Sequence, residues 1–221
     1  MRGIIFDVDG TLLDSMGFWG ELGARYLKTK GIRPEENLGK KLFPMTTEEG
    51  VRYLKAHYPL EGETEEIVEE IQEMIVNYYS EEVKLKDGVK EILKKLHEKK
   101  IPMTIATSSE RDFIEKALER LGVLKYFQKI FTCTEIGKGK DAPDIFLEAA
   151  RRMDVPAKDT WVAEDGLYAA KTARKAGFHV AGIFDACSKE EEEELRKVSD
   201  LYLYTWKEFP EEFLEKEQKK V

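Results

Sequence analysis

Two observations predict an α/β protein, in which a parallel sheet carries helices on both sides and a helical bundle is inserted after the first strand. Short apolar runs alternate with amphipathic stretches along most of the chain, which is typical of repeated strand–helix–strand units. Residues 15–83 interrupt that alternation, because they show helical patterning and no convincing strand. The core is therefore predicted to comprise residues 1–14 and 84–221, and the helical bundle residues 15–83.

Six apolar runs are predicted to be strands, at residues 3–6, 103–106, 129–132, 160–163, 179–183 and 201–204. Helices between them are predicted from apolar residues that recur every three or four positions, such as Val89, Ile92, Leu93 and Leu96. The inserted segment carries three stripes of this kind, and its aromatic residues are expected to form the bundle core. An insertion at this point is expected to lie over the carboxyl ends of the strands, where it would close the site and select the substrate.

Composition narrows the class of protein. The chain has 221 residues, of which 42% are hydrophobic and 36% charged, and no apolar run reaches membrane-spanning length. A net charge of −8 argues against nucleic acid or an anionic membrane as a partner. We expect a cytoplasmic, monomeric enzyme that acts on a small molecule. The two cysteines, Cys133 and Cys187, show no metal-ligand spacing and are expected to be buried.

The segment Asp7-Val8-Asp9-Gly10-Thr11 follows the first apolar run directly. Two carboxylates at the end of a strand are costly unless a cation joins them. Mg²⁺, which prefers oxygen ligands, is the natural partner for such a pair. The segment therefore indicates metal-assisted chemistry on an anion, most simply a phosphoryl group, although an Asp-Gly turn is also a common structural feature.

Three further strand ends carry polar residues. Thr107 and Ser108 end the second strand before a helix, where a hydroxyl and free amides bind phosphate. Lys140 follows the third strand, and Glu164 and Asp165 follow the fourth. Each has an ordinary structural explanation: a helix N-cap, a surface lysine, or acids placed favourably on a helix dipole. Together they supply a nucleophile, a proton shuttle, a phosphate cradle and metal ligands, a combination far more specific than any part.

These segments resemble the four motifs of the haloacid dehalogenase superfamily, in order along the chain: Asp7-Val8-Asp9-Gly10-Thr11-Leu12-Leu13-Asp14-Ser15, Thr107-Ser108, Lys140-x-x-Pro143-Asp144 and Glu164-Asp165. The spacing to Pro143 and Asp144 favours Lys140 over Lys138. The inserted helices are similar to the cap of the branch that contains β-phosphoglucomutase and phosphosugar phosphatases. The resemblance implies a Rossmann-like core, a helical cap and Mg²⁺.

The resemblance also implies a role for each motif residue. Asp7 would be the nucleophile that forms an aspartyl phosphate, and Asp9 the general acid and base. Phosphate would be bound by Thr107, Ser108 and Lys140. Mg²⁺ would be bound by Asp7, the backbone carbonyl of Asp9 and Asp165, with Glu164 at the edge of the site.

Two departures from the family pattern bear on function. Gly166 stands where relatives commonly carry a Ser, which removes a hydroxyl near the metal ligands. Trp19 stands where the mutase carries a His that assists proton transfer. This second difference favours a phosphatase acting on a sugar phosphate or a nucleotide-like metabolite over a phosphomutase.

Two alternatives of other classes stay open. A receiver-like signalling module also combines acids, a hydroxyl and a lysine on a parallel sheet. Such modules lack a large helical insertion and carry their phosphoacceptor in mid-chain, unlike Asp7. A catalytically inactive scaffold would need a lost motif residue, and none is lost. Phosphatase is the function that the sequence favours.

Overall fold

Six strands form one parallel sheet in the computed structural model, which describes residues 1–43 and 45–214. They are β1 Gly3–Phe6, β2 Met103–Thr107, β3 Ile130–Thr132, β4 Thr160–Glu164, β5 His179–Ile183 and β6 Leu201–Leu203. Their order across the sheet is β3-β2-β1-β4-β5-β6. Each predicted strand agrees with its observed counterpart to within one residue at either end, so the predicted α/β class is confirmed.

Strand β1 lies in the middle of the sheet and is buried along its length. Phe6, its last residue, pairs with Ile105 of β2 on one side and with Ala163 of β4 on the other. The direction in which strands are added therefore reverses at β1. In open α/β sheets, ligands bind at the carboxyl edge at such a point, so the residues after β1, β2 and β4 are placed to form a site together.

The described residues form the α-helices α1 Met16–Thr29, α2 Leu38–Leu42, α3 Thr47–His57, α4 Thr64–Asn77, α5 Val89–Glu98, α6 Arg111–Arg120, α7 Cys133–Ile136, α8 Asp144–Met153, α9 Leu167–Lys175 and α10 Glu192–Val198. The chain divides into two compact units. One contains Met1–Asp14 and the chain from Val83 onward, and the other Ser15–Glu82. The first unit holds the sheet, and its core joins Ile5 and Val162 of the strands to Phe146 of α8.

The inserted unit contains α1 to α4 and a short π-helix, Tyr78–Glu82. Its aromatic residues contact one another: Phe18 stacks on Tyr78 with ring centroids 3.8 Å apart, and Trp19 Nε1 donates to the hydroxyl of Tyr79 at 2.8 Å. A Cβ atom at Gly39 would overlap the carbonyl oxygen of Gly20, so α1 and α2 approach as closely as they do only because no side chain intervenes.

The expectation that both cysteines are buried is wrong. Cys187 is exposed, and Cys133 is only partly buried. Cys187 lies in the turn after β5, where its backbone N–H donates to Asp185 at 2.9 Å, so its position serves the turn and not the core.

No helix in the described part of the chain combines the length and apolar character that crossing a bilayer requires.

Candidate active site

Asp7 follows strand β1 directly and is buried, with 6% of its surface exposed. Its backbone N–H donates to the carbonyl of Ala163 on β4 at 3.0 Å, so strand pairing continues one residue beyond β1. The chain then turns at Gly10, whose φ of 79° lies in the region that favours glycine. The apolar run and the turn together hold a carboxylate at the central carboxyl edge of the sheet.

The Lys140 ammonium lies between the carboxylates of Asp7 and Glu164. Its side chain is 2% exposed, and Nζ donates to Asp7 Oδ1 and, at 2.6 Å, to Glu164 Oε1. The other oxygen of Glu164 accepts from the N–H of Gly166 at 3.1 Å. A buried ammonium needs paired negative charge, and these two carboxylates provide it. Although Gly166 offers no side-chain hydroxyl, its backbone N–H still holds Glu164 in place.

Three buried carboxylates meet at this edge of the sheet. Asp7, Glu164 and Asp165 each offer an oxygen atom, and the three atoms lie within 4.8 Å of one another. Thr11, in the turn after β1, donates from Oγ1 to Asp165 Oδ1 at 3.2 Å. Hard divalent cations prefer carboxylate oxygens, and three carboxylates facing one ammonium leave negative charge that a cation would neutralise. The donor set therefore fits a divalent ion such as Mg²⁺.

Burial and mutual repulsion shift the pKa values of these groups. Burial, and then repulsion from Glu164, raises the pKa of Asp7 to about 7. Burial, and then repulsion from Asp7, raises the pKa of Asp165 well above its ordinary value. Burial alone would lower the pKa of Lys140, but the two neighbouring carboxylates outweigh burial and hold that pKa above its ordinary value. Ionised Asp7 therefore depends on positive charge beside it.

Asp9 lies in the turn two residues after Asp7 and faces the end of β2. Its Oδ2 accepts a hydrogen bond from the Ser109 hydroxyl at 2.6 Å. The N–H of Ser109 in turn donates to Thr107 Oγ1 at 3.1 Å. Thr107 is the buried last residue of β2. The first and second predicted segments are thus joined by hydrogen bonds, through a serine to which the sequence analysis assigned no role although it adjoins Thr107-Ser108.

Ser108 is exposed, and its hydroxyl lies 3.5 Å from the sulfur of Cys133. Tyr168, at the start of α9, is a residue that sequence analysis missed; it is 57% exposed. Burial of its hydroxyl, and then the charge of Glu164, raises the pKa of Tyr168, whereas Lys140 and a hydrogen bond with Ser108 oppose this shift. The Tyr168 ring therefore lies near Glu164, on the helix that follows Glu164 and Asp165.

Lys86 is a further residue that the sequence analysis missed. Its Nζ donates to the carbonyl oxygens of Gly10 at 2.7 Å and Phe184 at 2.6 Å, and to Asp185 Oδ2 at 2.9 Å. The side chains of Lys86 and Asp185 are 14% and 6% exposed. Lys86 therefore ties the turn after β1 to the loop after β5. Nothing in periodicity or composition distinguishes it from the many surface lysines of this chain.

Comparison with known proteins points to the same family that the sequence motifs resemble. The chain matches the model of the family described as haloacid dehalogenase-like hydrolase over residues 4–183. A phosphorylated carbohydrates phosphatase of Thermotoga maritima is 29% identical over 178 residues, covering 80% of this chain and 82% of that protein. A β-phosphoglucomutase of Bacillus subtilis is 28% identical over 199 residues, covering 83% of each. A solved HAD hydrolase, family IA, variant 3, of Entamoeba histolytica superposes with a TM-score of 0.78 at 25% identity, covering 97% of each chain.

Proposed function

The chain belongs to the haloacid dehalogenase-like hydrolases, and from that premise we propose that it is a Mg²⁺-dependent phosphatase of a small phosphorylated metabolite. The observation that carries the proposal is the buried cluster in which Asp7 contacts Lys140 and lies beside Glu164 and Asp165. A sugar phosphate is the first substrate class to test, because the Thermotoga maritima relative is a phosphatase of phosphorylated carbohydrates. A nucleotide-like phosphate is the second.

Asp7 is the proposed nucleophile. One of its carboxylate oxygens attacks phosphorus, the bond from phosphorus to the substrate oxygen breaks, and an aspartyl phosphate forms. The Lys140 ammonium, which already contacts Asp7, offsets the negative charge of both the carboxylate and the incoming phosphoryl group. Thr107 and Ser108, at the end of β2, are the proposed ligands of the phosphoryl oxygens.

Asp9 is the proposed general acid and base. In the first step it gives its proton to the leaving substrate oxygen. In the second step it takes a proton from water as that water attacks phosphorus. The bond between phosphorus and Asp7 then breaks, which releases inorganic phosphate and returns both carboxyl groups to their starting states. The position of Asp9 in the turn beside Asp7 supports its role as general acid and base.

Asp7, Asp165 and the backbone carbonyl of Asp9 are the proposed ligands of Mg²⁺, with Glu164 at the edge of the site because Lys140 and Gly166 engage its two oxygens. A bound Mg²⁺ would supply positive charge between an anionic nucleophile and an anionic substrate. Asp165 is held ready for such a role by the hydrogen bond that it accepts from Thr11.

Phosphomutase activity is the second candidate, because the Bacillus subtilis relative is a β-phosphoglucomutase. Trp19 disfavours it. A tryptophan has no side-chain group that exchanges a proton near neutral pH, and the N–H of Trp19 is engaged with Tyr79.

Family membership leaves the receiver-like alternative without support. The cytoplasmic location and the monomeric state stay predictions.

Phosphate release from a panel of phosphorylated metabolites, with and without Mg²⁺, tests the proposal. We expect release that requires Mg²⁺ and that is abolished in Asp7→Asn, while the far-UV spectrum and thermal unfolding show that this variant is folded. Asp159→Asn, which changes an acid at the opposite end of β4, is the matched control and should retain activity. Undiminished release by Asp7→Asn would refute the nucleophile assignment. Interconversion of sugar 1- and 6-phosphates without phosphate release would favour the mutase.

A further inference from the structure

The hydrogen bond between Ser109 and Asp9 joins two groups that are 100 positions apart in the chain. At 2.6 Å it lies in the range of hydrogen bonds that a hydroxyl donates to a carboxylate. Ser109 is itself held, because its N–H donates to the hydroxyl of buried Thr107 at the end of β2. The serine hydroxyl is therefore presented to Asp9 by a strand and a turn, and not by a free loop.

We propose that Ser109 is a positioning residue for the general acid and base, an inference that rests on the phosphatase function proposed above. Its hydroxyl engages Oδ2 of Asp9 and so fixes the orientation of the carboxyl group that exchanges a proton with the leaving oxygen of the substrate. General acid catalysis depends on placing the carboxyl group within hydrogen-bond reach of that oxygen, so a fixed side chain has an advantage over a mobile one.

A serine hydroxyl suits both states of Asp9. It donates a hydrogen bond to one oxygen of the carboxylate, and it can go on donating to that oxygen when the other oxygen of the carboxyl group carries the proton. In the first step the proton passes from Asp9 to the leaving oxygen, and the negative charge that develops on Asp9 strengthens the bond donated by Ser109. In the second step Asp9 takes a proton from water on its other oxygen, and the serine hydroxyl goes on donating to Oδ2. Ser109 itself neither gains nor loses a proton over the cycle.

Leaving-group dependence is the kinetic test. The variants are Ser109→Ala, Ser109→Thr and, as a matched control, Ser199→Ala, which changes a serine before β6 at the opposite edge of the sheet. Their kcat/KM is measured on p-nitrophenyl phosphate, whose leaving group needs little protonation, and on the best alkyl phosphate of the panel. Ser109→Ala should lower kcat/KM about tenfold for the alkyl phosphate and at most about threefold for p-nitrophenyl phosphate.

The rest of the series sharpens this test. Ser109→Thr, which keeps the hydroxyl, should recover most of the activity on the alkyl phosphate, and Ser199→Ala should match the wild type on both substrates. An equal loss on the two substrates would overturn the inference, because it would indicate phosphate binding or folding as the role of Ser109. So would the absence of any loss in Ser109→Ala.

Crystal structures of the wild type and the two Ser109 variants test the inference without turnover. The Asp9 side chain should hold one rotamer in the wild type and in Ser109→Thr, and should shift or become disordered in Ser109→Ala. An Asp9 side chain equally ordered in the same position in Ser109→Ala would overturn the inference. If the wild type releases phosphate from no substrate, the proposed function fails, whereas these structures still decide the role of Ser109.

Discussion

Lys140 illustrates at the scale of one residue how a buried charge is tolerated. Its ammonium has lost its contact with water, and two carboxylates, Asp7 and Glu164, replace that contact. Lys138, two residues earlier, has the same side chain but is 57% exposed and pairs with Asp144 at the surface. The same chemical group therefore has a large energetic role at one position and a small role at the other.

The first prediction concerns this pair of lysines. Lys140→Met should abolish most of the phosphate release and lower the free energy of unfolding by about 3 kcal/mol, because it leaves two buried carboxylates without their cation. Lys138→Met, the matched control, should change the free energy of unfolding by less than about 0.5 kcal/mol. Urea denaturation near pH 7 measures the free energy of unfolding of both variants. Equal stability losses in the two variants would contradict the burial argument.

At the scale of elements, the carboxyl edge of the sheet is held by contacts between loops. Lys86 N–H donates to the carbonyl of Leu12 at 2.9 Å, so the segment before α5 runs beside the turn after β1. The ammonium of Lys86 then reaches the carbonyl oxygens of Gly10 and Phe184 and the carboxylate of Asp185. One side chain thus fixes the turn that carries Asp9 relative to β5.

The second prediction is that removing one partner of the Lys86–Asp185 pair lowers the free energy of unfolding more than removing both. Lys86→Met should lower the free energy of unfolding by about 3 kcal/mol, because Asp185 is left as a buried charge without its cation. The double variant Lys86→Met with Asp185→Leu should lose less than the single variant, because no uncompensated charge is left. Chemical denaturation of both variants measures the difference. A double variant that loses as much stability as Lys86→Met, or more, would count against this account.

The link between helices α6 and α7 is an ion pair whose strength depends on pH. Arg111 donates to Glu135 at 2.5 and 2.7 Å. This hydrogen bonding holds the pKa of Glu135 below its ordinary value. A carboxyl group whose pKa is lower in the folded chain adds stability above its unfolded pKa, and that contribution disappears as the pH falls through the folded pKa.

The third prediction follows from the sign of this shift. Glu135→Gln should be less stable than the wild type at pH 7 by under about 1 kcal/mol, a small effect because both side chains are partly exposed. The difference should shrink as the pH falls from about 5 to about 3, since the carboxyl group is then protonated in both the folded and the unfolded chain. Thermal unfolding at several pH values measures it. A difference that stays constant across this range would contradict the proposed cause.

At the scale of the whole molecule, folding gathers like charges at one edge of the sheet. Asp7, Glu164 and Asp165 come from two strand ends and repel one another in the folded state. That repulsion opposes folding, and a cation that binds only the folded chain offsets it. A bound Mg²⁺ would therefore link the stability of the molecule to the proposed chemistry of the site.

The fourth prediction is that Mg²⁺ stabilises the protein in a concentration-dependent way. Above its dissociation constant, each tenfold increase in Mg²⁺ should add about 1.4 kcal/mol, which raises Tm by about 3–5 °C for a chain of this size. Asp165→Asn should remain folded and lose this dependence. NaCl at matched ionic strength is the salt control. An equal rise in Tm with NaCl, or an unchanged response in Asp165→Asn, would contradict specific binding.

Sequence alone determined the strands, the alternation that makes the sheet parallel, and the four polar segments that resemble one family, because these are local patterns of burial and spacing. Tertiary structure decided which of the six serines and the many lysines lie at the candidate site. Ser109 reaches Asp9 across 100 positions and Lys86 reaches Asp185 across 99. Such contacts depend on strand order, on register and on the direction of each turn. A side chain's partners are set by the neighbours that folding brings to it, and not by its own sequence context.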